Sequence, residues 1–214
     1  VRITLKRALF ATTVAAAAFG FATTSASATA LATWTVTNPS GTFSASLKAG
    51  TVATLVDTVT SQQVNCSTAS ASGTATSGTY ATGTGLAKIT AATFGSAASP
   101  CPGPLGSSFT AVLASGSTIS VNGSTYSGGV TKGTLSGIRV NLTGDTILGT
   151  CKAVITGSAS NASYTNSTGE LKIAKGTGLK VESASNCSGL LNAGDAATFD
   201  ATYKLVTPIT ITSP

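Results

Sequence analysis

The chain repeats itself, and this limits what it can fold into more than any other feature. Thr42-Phe43-Ser44-Ala45-Ser46-Leu47-Lys48-Ala49-Gly50-Thr51 returns as Thr125-Tyr126-Ser127-Gly128-Gly129-Val130-Thr131-Lys132-Gly133-Thr134, and each copy runs on through one cysteine to a second. The tract 72–80 after Cys66 is echoed by 156–164 after Cys151, and Cys101-Pro102-Gly103-Pro104-Leu105 matches Cys187-Ser188-Gly189-Leu190-Leu191 as C-x-G-x-L. A repeated unit that cannot bury its apolar face alone is completed by its copy. Two units, about 38–113 and 121–206, are therefore expected to pack as one domain over residues 29–214, with two independent beads as the alternative.

Within each unit the pattern is β. Thr, Val, Ile and aromatic residues alternate with a period of two, and no window carries the 3.6-residue apolar stripe of an amphipathic helix. Strands are predicted at 34–37, 42–48, 51–59, 64–72, 86–93 and 108–113, then at 118–121, 125–131, 134–142, 148–156, 170–174 with 179–183, 198–206 and 209–212. Gly50 and Gly133 stand between consecutive strands and read as hairpin residues with positive φ. Trp34 and Val36, Phe43 and Leu47, Phe109 and Leu113, Tyr126 and Val130, and Phe199 and Tyr203 are two or four residues apart, so each pair shares a face. The expected fold class is all-β, a duplicated antiparallel β unit forming a pseudo-twofold sandwich or barrel-like domain. Aromatics are only 6% of residues, so Val, Ile, Leu, Ala and Thr methyls must fill most of the interior.

Residues 1–28 read as an export signal. Arg2, Lys6 and Arg7 form a basic region, 8–21 is apolar, and Ala26-Ser27-Ala28 offers an A-x-A cleavage site. The apolar run is shorter than the roughly 20 residues a membrane span needs. Val1 in the initiator position of a chain without methionine suggests a GTG start and a bacterial source. The expected location is extracellular, with retention at the cell envelope as the alternative and no membrane contact after cleavage. Without Arg2, Lys6 and Arg7 the net charge of +6 falls to 6 − 3 = +3, carried by isolated lysines rather than a basic patch, so nucleic acid is not an expected partner. Charged residues are 8% of the chain against about 25% in average soluble proteins, so hydroxyls and amides must hydrate its surface.

Four cysteines in an exported chain read as two disulfides. Three connectivities are open. Pairing within each unit, Cys66 with Cys101 and Cys151 with Cys187, is favoured because a single-unit ancestor needs its own bridge and the two spacings nearly match. Zinc is not expected, since no C-x-x-C spacing occurs and the chain has no histidine.

The lack of histidine also removes Ser-His-Asp and Cys-His nucleophile activation, and no S-x-x-K motif offers a serine–lysine pair. Glycoside hydrolysis needs two facing carboxyl groups. The six acids, Asp57, Asp145, Glu170, Glu182, Asp195 and Asp200, read as solvated strand or turn positions, Asp195 as a turn cap. The chain is expected to be no enzyme and to use no cofactor. Two readings of function follow. One is a binding or structural role outside the cell or at the cell or spore surface, with loops 100–105 and 186–195 as contact sites. The other is carriage of a small apolar ligand, a lipid or secondary metabolite, in a cavity lined by Phe43, Leu47, Tyr126 and Val130. A filled interior favours the first and an open one the second.

Together with the signal, four features carry a family resemblance: Trp34-Thr35-Val36-Thr37-Asn38-Pro39, the 73–80 tract, the C-x-G-x-L elements and the stretch from Leu191-Asn192-Ala193-Gly194-Asp195 to Tyr203. In these the chain resembles a group of small secreted proteins of Streptomyces and related actinobacteria. The resemblance spans essentially the whole mature region and implies an exported actinobacterial protein, with no catalytic residue carried across. Neocarzinostatin-type chromophore-binding proteins, small actinobacterial β-sandwiches with two disulfides, are a fold-level analogy whose cysteines close much shorter loops.

Overall fold

The computed structural model describes residues 33–147 and 149–214. The expected signal at 1–28 and its cleavage site lie outside them. The described chain is built from strands, with a single 3-10 turn at Pro104–Gly106. In order they are β1 (Trp34–Thr37), β2 (Thr42–Leu47), β3 (Ala53–Asp57), β4 (Gln63–Cys66), β5 (Ala69–Thr74), β6 (Gly78–Tyr80), β7 (Ala87–Phe94) and β8 (Cys101–Pro102). β9 (Ser108–Leu113), β10 (Ile119–Ser127), β11 (Val130–Thr146), β12 (Gly149–Thr165), β13 (Glu170–Ser185), β14 (Ala196–Leu205) and β15 (Thr210–Thr212) follow.

Eight antiparallel staves close into a barrel in chain order. Each of the first four is made of two collinear pieces. β2 and β3 lie end to end along β14, with Leu47 opposite Tyr203 and Thr54 opposite Asp200. β4 and β5 form the next stave against β3 and β2. β7 and β8 lie along β9, and β9 and β10 share the groove between β7 and β11. β11 to β14 then pair in sequence as unbroken strands. Because β14 returns to β2 and β3, the all-β fold is a closed barrel rather than a sandwich, and closure removes the free edges that invite aggregation.

Closing a small barrel requires sharply bent strands, and bulges supply the bend. The turn 48–52 parts β2 from β3, and 114–118 parts β9 from β10. The register shifts of the long strands fall opposite one another: Leu135/Ile138 in β11, Gly157/Ala162 in β12, and between Ile173 and Leu179 in β13. Positive φ at Gly137 (74°), Asn161 (56°), Lys175 (47°) and Gly178 (101°) marks these bends.

The predicted strands 118–121, 125–131 and 134–142 prove to be one hairpin. It turns at Gly128 (φ 56°) and Gly129 (φ 80°), the two positive φ values of a type I′ turn. Gly133 is therefore no turn residue. It lies within β11 opposite Gly123 and Ala162, where a Cβ would run into the Asn122 carbonyl. Gly50 does take a positive φ of 77°, but in the turn that interrupts one stave. Tyr126 consequently sits on the fourth stave and Phe43 on the first, so these two aromatics do not occupy matching places. The cysteines do: Cys66 and Cys101 lie on the second and third staves, Cys151 on β12 and Cys187 just past β13.

The outer face is hydroxylic. Ser70 and Thr93 share an exposed hydrogen bond across strands at 2.8 Å, as do the half-buried Ser160 and the exposed Thr177 at 2.8 Å. Two ion pairs, Lys48–Glu170 at 2.9 Å and Arg139–Glu182 at 2.5 Å, add to it. A membrane barrel shows the reverse, with an apolar band outside and a polar lumen. Among the described residues no helix is long and apolar enough to cross a membrane.

The disulfides are Cys66–Cys101 and Cys151–Cys187, with sequence separations of 35 and 36. Such bonds persist in oxidising compartments. The ladder of β12 and β13 reaches Lys152–Ser185, so the second bond extends pairing already made. The first closes a seam, because β4 pairs with β3 and β8 with β9, and no ladder joins β4 to β8 among the described residues. Near-equal loops give near-equal chain-entropy contributions, about 4 kcal/mol each. Changing Cys66 and Cys101 to Ala should therefore expose the β4 and β8 amides to hydrogen exchange, whereas changing Cys151 and Cys187 should leave the β12–β13 ladder protected. Equal loss of protection at both places would contradict this.

Candidate functional site

Eight strands enclose a space just wide enough for side chains to fill, or to hold one small ligand. Here the inward side chains are small where neighbouring staves meet. Ala45 stands opposite Ala71, and Ala71 opposite Ala92, so three adjacent staves present a row of methyls. Ala53, Ala87, Ala111 and Ala159 line the same interior. What remains is a cavity of about 130 Å³.

Bulkier groups frame it. Phe94 and Phe199 come from non-adjacent staves and meet edge to face, their centroids 5.6 Å apart with ring planes at 89°. Cys66, Cys101 and Phe109 line one end, where a Cβ on Gly103 or Gly144 would overlap the Phe109 ring. Ile209, Ile211 and Tyr164 line the other. There β15, β1 and β6 form a separate three-stranded sheet, and the Trp34 ring lies 2.7 Å from where a Gly123 Cβ would stand. Side chains of β12 and its following turn anchor this sheet. The Tyr164 hydroxyl donates to the Ile209 carbonyl (2.8 Å) and accepts from its N–H (3.0 Å), and Asn166 pairs in the same way with Ile211 (2.8 and 3.0 Å).

A second tyrosine, Tyr203, lines the same space and is treated differently. It is 5% exposed, and its hydroxyl has no hydrogen-bond partner among the described residues. Burial raises the pKa of both phenols above the ordinary 10.0. At Tyr164 the Ile209 backbone bond partly opposes the rise.

Of the residues expected to line a cavity, Phe43 does so. Leu47 and Tyr126 are partly buried and pack against the core without lining the cavity. Val130 begins β11 at the hairpin. The reason for both hairpin residues is the same: the lining that β10 and β11 contribute stops at Val121 and Leu135. The alanine row leaves no signal in the sequence, because an alanine in a β pattern reads as filler whichever way it points.

None of the six carboxylates lines the cavity. Asp57, expected to be solvated, is fully buried. Its Oδ1 accepts the Val59 and Thr60 N–H groups at 2.9 Å each, and the Thr60 hydroxyl donates to the Leu190 carbonyl (3.1 Å), which folds the β3–β4 turn over the carboxylate. Asp195 accepts from the Asn192 amide (3.0 Å), and Asp200 from the Lys175 N–H (3.1 Å). Loops 100–105 and 186–195 both follow strands that lead to the disulfide end. Leu105 is exposed there, whereas Leu190 and Leu191 are buried. The chain matches no protein-family model, no curated protein and no solved structure.

The two phenols make opposite predictions. Tyr164→Phe strands the Ile209 N–H and carbonyl and should lower stability by about 1–3 kcal/mol, whereas Tyr203→Phe removes a hydroxyl without a partner and should leave stability unchanged or raise it. A raised phenol pKa means stability is full below the unfolded value of 10.0 and lost as pH rises above it, so Tyr203→Phe should soften the fall. Urea unfolding at neutral pH and above pH 10 measures both effects. Equal destabilisation by the two substitutions would contradict the assignment.

Proposed function

We propose that the protein is a non-catalytic extracellular binding protein that carries one small apolar molecule inside its barrel. The observation that carries this reading is the cavity, whose walls are apolar apart from Thr110 and the tyrosines. Its size decides the class of guest. An apolar protein cavity of about 150 Å³ takes benzene, whereas drug-sized ligands occupy roughly 300–1,000 Å³. At about 130 Å³ the guest is a single ring or a short branched chain, and a lipid tail or polycyclic metabolite exceeds the room. Burying six carbons at about 0.8 kcal/mol each corresponds to a Kd on the order of 0.1–1 mM.

Export is supported by the signal-like residues 1–28, by two disulfides and by the hydroxyl-rich exterior. The resemblance to secreted actinobacterial proteins points the same way.

Titration calorimetry with cyclohexane or benzene tests the reading. The wild type should bind in the range given, and Ala71→Leu, which puts an isobutyl group into the alanine row, should abolish binding while preserving the β circular dichroism spectrum. No binding by the wild type, or binding indifferent to Ala71→Leu, would overturn it.

A further inference from the structure

We propose that the disulfide end of the barrel rests on a lipid bilayer and enters its interface with three aliphatic turn tips, Val59, Leu105 and Ile147. The connections at this end join staves one to two, three to four, five to six and seven to eight, through 58–62, 103–107, 147–148 and 186–195. The first three each raise one of these side chains into solvent, 66%, 75% and 77% exposed. Among the described residues the other exposed large aliphatics lie elsewhere, Val52 in the turn that interrupts a stave, Val112 on β9 and Val206 past β14 at the far end. The tips are held in place. The Asp57 carboxylate accepts the Val59 N–H (2.9 Å), and the Thr60 and Thr146 hydroxyls donate to the Leu190 and Asn186 carbonyls (3.1 Å each), so the 186–195 loop ties the first turn to the third. Leu105 stands between Pro104 and Gly106 with φ 55° and ψ 29°. A bulky side chain is uncommon in that left-handed region, which glycine or asparagine takes at less cost, so turn geometry does not account for a leucine there.

Charge and shape select the partner. Segments 58–62, 95–107, 146–150 and 186–194 contain no lysine, arginine, aspartate or glutamate. Entering the boundary between headgroups and acyl chains therefore strips no charged side chain of these segments of its water. With no cation among them to draw anionic headgroups, the matching surface is zwitterionic. A protein partner fits less well. Protein interfaces draw their energy from Trp, Tyr and Arg, none of which occurs in these segments. They also need roughly 800 Å² of matched surface on each side, whereas a fluid interface admits three separate tips without such a match. The expectation of no membrane contact follows from the lack of a spanning segment, and lying on a bilayer needs none.

Flotation with phosphatidylcholine vesicles tests the proposal on residues 29–214, which hold the whole barrel and omit the apolar run 8–21. The wild type should float with the vesicles. Leu105→Asn, which suits the left-handed backbone and so keeps the turn, and Ile147→Ser should each weaken binding roughly tenfold, the lower end of what burying one aliphatic side chain provides. Adding Val59→Thr to both should abolish flotation, whereas Val206→Thr, at the opposite end, should leave it unchanged. No flotation of the wild type, or as large a loss from Val206→Thr as from Leu105→Asn, would overturn the proposal. So would an oligomer that forms without lipid and dissociates on Leu105→Asn, since the tips would then meet a second copy. No guest is present in this experiment, so its outcome is separate from that of the carrier reading.

Discussion

A sheet that closes on its eighth stave encloses a space whose width the backbone sets. Inward side chains can divide that space but cannot shrink it. The pairing of β14 with β2 and β3 therefore governs the interior. Once the ring is closed, every alanine on the inner face is volume that no other residue can easily reclaim, because its neighbours are held by ladders on both sides. Ala45, Ala71 and Ala92 lie side by side on three staves, so their missing side-chain volume is pooled in one place.

The two halves of the barrel meet the demands of closure differently. The second half uses long strands that bend at bulges, whereas in the first half every stave is broken into two pieces. Broken staves shorten the ladders and leave the seam between β4 and β8, which the Cys66–Cys101 bond closes. This bond also forms part of the cavity wall, so covalent closure of the barrel and integrity of the interior depend on the same two residues. At the opposite end the work is done by hydrogen bonds from Tyr164 and Asn166 to β15.

Much of this was legible in the sequence, and the rest was hidden for physical reasons. Period-two alternation placed Phe199 and Tyr203 on one face, and both line the cavity. Barrel and sandwich could not be told apart, because closure is a pairing between β14 and the distant β2 and β3 that leaves no local trace. Bulges hid the true strand lengths. Residues 158–161 and 174–178 break the alternation, so β12 and β13 looked short although their ladders resume beyond the bends. Gly133 looked like a turn because an isolated glycine in a β pattern carries no mark of whether positive φ or close packing requires it. Asp57 looked solvated because the turn that covers it is held by the distant Leu190 carbonyl.

The central claim is that a closed barrel leaves an unfilled apolar interior at the alanine row. Diffraction from crystals held under xenon pressure tests it most directly, since xenon enters dry apolar cavities and leaves solvated polar sites alone. The account predicts a xenon peak inside the barrel beside Ala45, Ala71 and Ala92. An interior filled by its own side chains, or occupied by a chain of ordered water in place of xenon, would contradict it.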